Sequence, residues 1–299
     1  MAQTLESLRR HEITGPVSIE AGLGGLPRVT VRTPYSTAEI YLQGAHVTRF
    51  QNTDDAPVLF MSGHSVFAEG QAIRGGVPIC YPWFGARDGG PSHGTARLAE
   101  WTLVGTGVRP DGAVVVRLAF PHDEAPAEWS SLETEFTVTV SDTLTMDLAT
   151  RQRGGDAVRF ENCLHTYFHV GDISAVSVTG LAGAPFDDFA HGANGAPRPG
   201  DNDDLRINQE TNRVYPDSSS PVEIVDRALG RVIRVEKTGS SSTVVWNPWT
   251  TQKMPGDFGP EEYREMICVE SGNVKQNAMT LASGESTSLT VTVSSRTAR

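Results

Sequence analysis

Apolar and polar positions alternate with a period of two along much of the chain. Val29 and Val31, Ile40 and Leu42, the trio Phe136, Val138 and Val140, and the trio Leu144, Met146 and Leu148 each mark one apolar face of an extended segment, because residues two apart share a face of a strand. The pattern returns over residues 222–235 (VEIVDRALGRVIRV), which predicts a hairpin turning at Gly230, and near the end in Leu289, Val291 and Val293. Helical spacing is confined to two short stretches, residues 5–11 and 130–136. Turn residues recur at short intervals and no strand–helix–strand rhythm exists. The chain therefore reads as all-β, a large antiparallel β-sandwich of two face-to-face sheets with a few short helices. The Gly-, Pro- and Asp-rich residues 182–204 predict a long loop rather than a linker, since strands of the same character resume after them. Residues 1–299 are expected to form one domain, opening with a short polar segment over 1–14.

Composition narrows the possible roles. Hydrophobic residues make up 38% and charged residues 20% of the 299, a globular balance. No run of 18 apolar residues exists to span a membrane, and residues 1–10 (MAQTLESLRR) lack a secretory apolar core, so a cytoplasmic, non-membrane protein is expected. Cys80, Cys163 and Cys268 are far apart without CxxC spacing and are predicted reduced and buried. A net charge of −11 argues against nucleic-acid binding, which selects a basic face. It also means that an anionic substrate needs a local arginine cluster to overcome the overall field.

Four segments are dense in polar and aromatic residues: 73–85 (IRGGVPICYPWFG), 93–97 (HGTAR), 164–169 (LHTYFH) and 267–274 (ICVESGNV). From residue types alone, His165 is either a structural histidine beside Tyr167 and Phe168 or a proton carrier near neutral pH. Glu270 is either a strand-end carboxylate or a base, and Arg74 and Arg97 are either surface ion-pair residues or forks for an anion. His165 and His169 show HxxxH spacing, but on a strand this does not make a metal site. Residues 22–25 (GLGG) lack the following helix of a phosphate loop, and residues 201–204 (DNDD) lack the Gly and terminal Glu of a calcium loop.

These segments, together with 44–47 (GAHV), 208–215 (NQETNRVY) and 244–249 (VVWNPW), follow one another as in the glucose-6-phosphate 1-epimerases, or hexose-6-phosphate mutarotases, of the galactose-mutarotase-like group. The chain resembles that family over nearly its full length. The resemblance implies a sandwich with a sugar cleft across one sheet, and an enzyme that interconverts the α and β anomers of a hexose 6-phosphate. By the same resemblance His165 protonates the ring oxygen and Glu270 takes the proton of the anomeric hydroxyl, with no metal or organic cofactor. Arg74 and Arg97 are expected to hold the phosphate, with His93, Ser92 and Asn212 on the sugar hydroxyls. Ser92 stands where the family often has Gln and Asn212 where it commonly has Asp, which bears on the choice of hexose. The glycine pair after Arg74 suggests close approach of backbone to a ligand, and Tyr81 and Trp83 an apolar floor under the pyranose. A small-molecule partner and a monomer are expected. The rival readings are a mutarotase of neutral sugars, a sugar-phosphate-binding protein without turnover, and a glycoside hydrolase or lyase; hydrolysis usually requires a second catalytic carboxylate, and none is identified.

Overall fold

The alternating segments pair into two large antiparallel sheets in the computed structural model, which describes residues 3–298. The nine-stranded sheet is built around two hairpins. Leu132–Val140 pairs with Leu144–Gln152, placing Phe136 opposite Leu148 and Val138 opposite Met146. Val222–Asp226 pairs with Arg231–Thr238, and Gly230 takes φ 60° in the turn between them. The C-terminal strand Ser286–Thr297 lies between the hairpins and bonds to both, so the end of the chain occupies the middle of the sheet.

The eight-stranded sheet places Thr211–Tyr215, Ser242–Asn247, Met266–Asn273, Asn162–Leu164 and Ile79–Cys80 side by side in that order. Tyr167–His169 also pairs with Met266–Asn273. Residues 17–52 form a further four-stranded sheet whose Val29, Val31 and Ile40 share one buried cluster with the two larger sheets.

Phe136, Val138 and Met146 from the nine-stranded sheet meet Leu164, Ile267 and Val269 from the other in one buried cluster. Each such side chain contributes roughly 1.5–3 kcal/mol when fully removed from water. Every residue of Met266–Asn273 is buried. One face of this strand feeds the core, and the other carries Cys268 and Glu270 beneath the cleft described below. Burial on both faces is why the segment shows a continuous apolar run instead of alternation.

Residues 5–11 form the expected short helix, as Leu5–Leu8 continued by the 3-10 turn Arg9–His11, with the Thr4 side chain accepting from the Ser7 amide. Residues 130–136 are not helical. A 3-10 turn ends at Trp129, and the strand from Leu132 buries Leu132, Thr134 and Phe136 in strict alternation. Period-two burial across a nine-residue strand outweighs a helical spacing read over seven. The 182–204 stretch holds more than loop: Phe186–Asp188 and Ala196–Arg198 form a hairpin that extends the edge of the eight-stranded sheet. Phe186 anchors it, its ring centroid 5.4 Å from that of Tyr215. Among the described residues no helix is long and apolar enough to cross a membrane.

Candidate active site

A cleft of about 640 Å³ opens on the outer face of the eight-stranded sheet, a volume suited to a small ligand. Cross-strand register builds its floor. Asn212 pairs with Trp246 and Trp246 with Cys268, while Val214 pairs with Val244 and Val244 with Glu270. Directly opposed residues point to the same face, so the strands deliver Asn212, Val214, Val244, Trp246 and Glu270 together. His165 arrives from the next element. The ladder is interrupted between Leu164 and Tyr167, and the His165 amide donates to the Pro78 carbonyl at 2.9 Å instead. The Tyr167 amide donates to Gly76, so the 74–78 segment runs beside 165–167 and brings Arg74 to the rim.

Arg74, Ser92, His93, Arg97, His165, Asn212 and Glu270, all singled out from the sequence, line this one cleft. At its base His165 Nε2 lies 3.2 Å from Glu270 Oε1, with side-chain exposures of 12% and 1%. The His165 ring stacks on Tyr167 at 4.9 Å and 16° and meets Trp246 edge-on. The Cys163 thiol donates to Glu270 Oε2 at 3.6 Å. Burial pushes the Glu270 carboxyl well above its ordinary range and the His165 imidazole well below its own, because each charged form loses its water. The two shifts together favour a neutral pair holding one proton between them.

His93 sits beside this pair, its ring centroid 5.5 Å from that of His165. Its Nδ1 accepts from the Gly85 amide at 3.3 Å, which fixes the ring proton on Nε2. Burial, reinforced by Arg97, Arg74 and Lys275, lowers its pKa to about 3, so it is a neutral donor at working pH.

The cations differ in how far they are already engaged. Arg74 grips Asp257, with Nε on Oδ2 at 3.2 Å and Nη2 on Oδ1 at 3.3 Å, and donates through Nη1 to the Tyr167 hydroxyl at 3.1 Å. Arg97 donates to the Ser92 carbonyl at 2.7 Å and makes no ion pair among the described residues. Its Nε is buried without a partner. Lys275, which sequence reasoning missed, lies over the rings of Phe84 and Phe189 at 5.9 and 5.5 Å and also lacks an ion pair among the described residues. Asp257 was missed too. Both lie just outside recognisable motifs, and only the positive cluster at the cleft makes them visible.

Two expectations are corrected by the geometry. Tyr81 and Trp83 do not form the floor. Cys80 faces the cleft side of its strand, so Tyr81 turns inward, where Phe120 and Phe160 each stand 5.8 Å away. Trp83 packs on Trp129 at 5.3 Å. The apolar surfaces are Trp246, Tyr167, Val214 and Val244, walled by Phe84 and Phe189. The glycine pair serves the protein's own backbone: a Cβ on Gly75 would stand 2.5 Å from the Phe60 carbonyl oxygen, and one on Gly76 2.3 Å from that of Val47. Ser92 is exposed at the rim and accepts the Arg97 hydrogen bond on its backbone carbonyl. The HxxxH pair is not brought together, since His169 faces a separate hollow beside Glu265. The three cysteines are buried and unpaired as expected.

The sandwich carries a buried histidine–carboxylate pair at the base of a cleft across one sheet, the arrangement of an enzyme site able to move protons on a small ligand. The aldose 1-epimerase family model matches residues 27–294, and the chain belongs to that family. A protein of Escherichia coli K12 named as a proposed glucose-6-phosphate 1-epimerase is 34% identical over 281 residues, covering 91% of each chain. A relative from Cenchrus ciliaris with the same name is 33% identical, covering 87% of this chain and 82% of its own. Among solved structures, a proposed mutarotase from Salmonella typhimurium superposes with a TM-score of 0.84 at 27% identity over 96% of both chains. A galactose mutarotase-like protein from Clostridium acetobutylicum shares the fold with a TM-score of 0.70 at 14% identity, over 94% of this chain and 98% of its own.

Proposed function

We propose that this epimerase acts on hexose 6-phosphates, with glucose 6-phosphate the leading substrate, and that His165 and Glu270 carry the proton transfers. The observation that carries the reading is the 3.2 Å His165–Glu270 pair at the base of a cleft rimmed by Arg97 and Lys275, neither with a carboxylate partner among the described residues. The family membership and the names of the relatives support it.

The reaction needs one proton on the pair. With that proton on His165, His165 gives it to the ring oxygen while the Glu270 carboxylate takes the proton of the anomeric hydroxyl. The C1–O5 bond breaks, and the pair is left as neutral His165 and protonated Glu270. Both protonation states hold the same number of protons, and burial favours the neutral one. The environment that raises Glu270 and lowers His165 therefore stabilises the state in which the open aldehyde is bound. Rotation about C1–C2 presents the other carbonyl face, and closure returns the protons by the reverse path. On this reading the His93 Nε2–H and the Asn212 amide, both lining the cleft beside Trp246, bond sugar hydroxyls over its apolar surface. Arg97 supplies an uncommitted guanidinium fork for the phosphate. Arg74, already holding Asp257 and Tyr167, offers only its remaining N–H groups. On this reading the chain is a single domain, since one large buried cluster draws on both sheets of the described residues.

NMR saturation transfer between anomers of glucose 6-phosphate, with glucose and galactose in parallel, tests the proposal. Faster exchange of the phosphate sugar alone supports it. Acceleration of neutral sugars alone assigns the cleft to them, and binding without acceleration makes it a receptor.

A further inference from the structure

The side chain of Cys268 reaches the same point as those of the proton-transfer pair. It precedes Glu270 by two residues on one strand, so both side chains leave the same face. One donor atom each from His165, Cys268 and Glu270 lies within 4.8 Å of the other two. We propose that these three residues form a binding site for a thiophilic divalent cation of the zinc class, and that its occupation switches the enzyme off by seizing both partners of the proton transfer.

The donor set suits such an ion. Zinc binds imidazole nitrogen and carboxylate oxygen at about 2.0–2.2 Å in tetrahedral geometry, which places those two donors about 3.3–3.5 Å apart. His165 Nε2 and Glu270 Oε1 already stand at 3.2 Å. The sulfur stands within 4.8 Å of both, against about 3.5 Å in a tetrahedral zinc site, so it closes by no more than about 1.3 Å on binding, and the cleft side supplies the fourth position for water or a sugar oxygen.

Charge balance favours occupation. A divalent cation held by one thiolate, one carboxylate and a neutral imidazole is neutral overall, so the buried position carries little penalty. Binding releases the Cys268 thiol proton and the single proton shared by His165 and Glu270, and no other bond changes. Thiolate ligation selects zinc over magnesium and calcium, which prefer oxygen alone. Cys268 is fully buried at the edge of the hydrophobic core and forms no disulfide, so its thiol is free to ligate.

The inhibition arm rests on the proposed proton-transfer roles, whereas the binding arm does not. Chelator-treated protein is titrated with zinc against a chromophoric zinc indicator, and separately with cobalt(II), reading the near-ultraviolet thiolate-to-cobalt charge-transfer band. The expected result is one equivalent bound, a thiolate band, no response to magnesium, and chelator-reversible loss of anomer exchange. Cys268→Ser and Cys268→Ala are expected to lose the band, weaken zinc binding roughly a hundredfold or more, and keep both the fold and the basal exchange. Absence of binding, or binding that survives in both Cys268 variants but fails in Cys80→Ser, overturns the site. Stoichiometric binding with full activity retained overturns the switch. If no sugar is turned over at all, the indicator and the cobalt band still decide whether the site exists.

Discussion

His165 Nε2 and Glu270 Oε1 lie 3.2 Å apart although 104 positions separate them in the chain, because the strand carrying Glu270 pairs with the elements on either side of His165. Burial shifts the two pKa values in opposite directions, and the proposed transfer needs one proton on the two together. Anomer exchange is therefore expected to follow a bell-shaped pH profile, falling at low pH when both residues are protonated and at high pH when neither is. A profile of kcat against pH checks this; a single limb would mean that only one of the two takes part.

His165→Ala and Glu270→Gln should each lower turnover by roughly a hundredfold or more, since each removes one partner of a concerted transfer. The double variant should lose little beyond either single one, as groups acting together are not additive. Steady-state rates of the three proteins decide it, and multiplicative losses would show independent roles.

Glu270 should also cost stability at neutral pH. Its folded pKa is raised by burial, so the folded state holds a proton that the unfolded chain, with an ordinary glutamate near 4.3, releases. The favourable contribution is fully present below about pH 4.3 and is lost as pH rises towards the folded pKa, by at most ~1.4 kcal/mol per pH unit. Glu270→Gln removes this dependence. Its melting temperature should exceed that of the parent by a margin that widens from pH 5 to pH 8, and a constant margin would contradict the raised pKa.

Arg97→Ala and Arg74→Ala should separate. Arg97 has no carboxylate partner among the described residues to leave behind, so its loss should weaken binding of glucose 6-phosphate by a few kcal/mol while barely changing stability. Arg74→Ala strands the half-buried Asp257, whose exposure with Arg74 in place is 19%, and should lower the melting temperature as well as affinity. Adding Asp257→Asn should recover the melting temperature but not the affinity. Calorimetric titration and thermal melts on the same proteins measure both.

Gly76→Ala is expected to destabilise the fold by roughly 2–4 kcal/mol, as a mismatch of backbone conformation and a close contact act together. Gly76 sits at φ 57° with its absent Cβ 2.3 Å from the Val47 carbonyl oxygen and 2.8 Å from His46 Nε2. Urea titration reads the loss directly.

The β class, the hairpin at Gly230 and the seven cleft residues were legible in the chain. Alternation reports a half-buried strand whatever its partner, and short motifs carry the site residues in fixed local settings. Leu132–Val140 shows the limit, because over residues 130–136 the helical and extended periods coincide on the same apolar positions. Tyr81 and Trp83 show another. Composition says that an aromatic is buried, not which side of the sheet buries it, and the neighbouring Cys80 holds the cleft side.

The sequence by itself determined the strands, the acid–base residue types and the family motifs, all of which are written in local order. The tertiary structure alone decided that Asp257 engages Arg74, that Arg97 and Lys275 have no ion pair among the described residues, and that Cys268 stands within reach of the His165–Glu270 pair. Those relationships depend on which strands lie side by side and in what register, and cross-strand register between distant segments is fixed only when the whole sheet buries its apolar face.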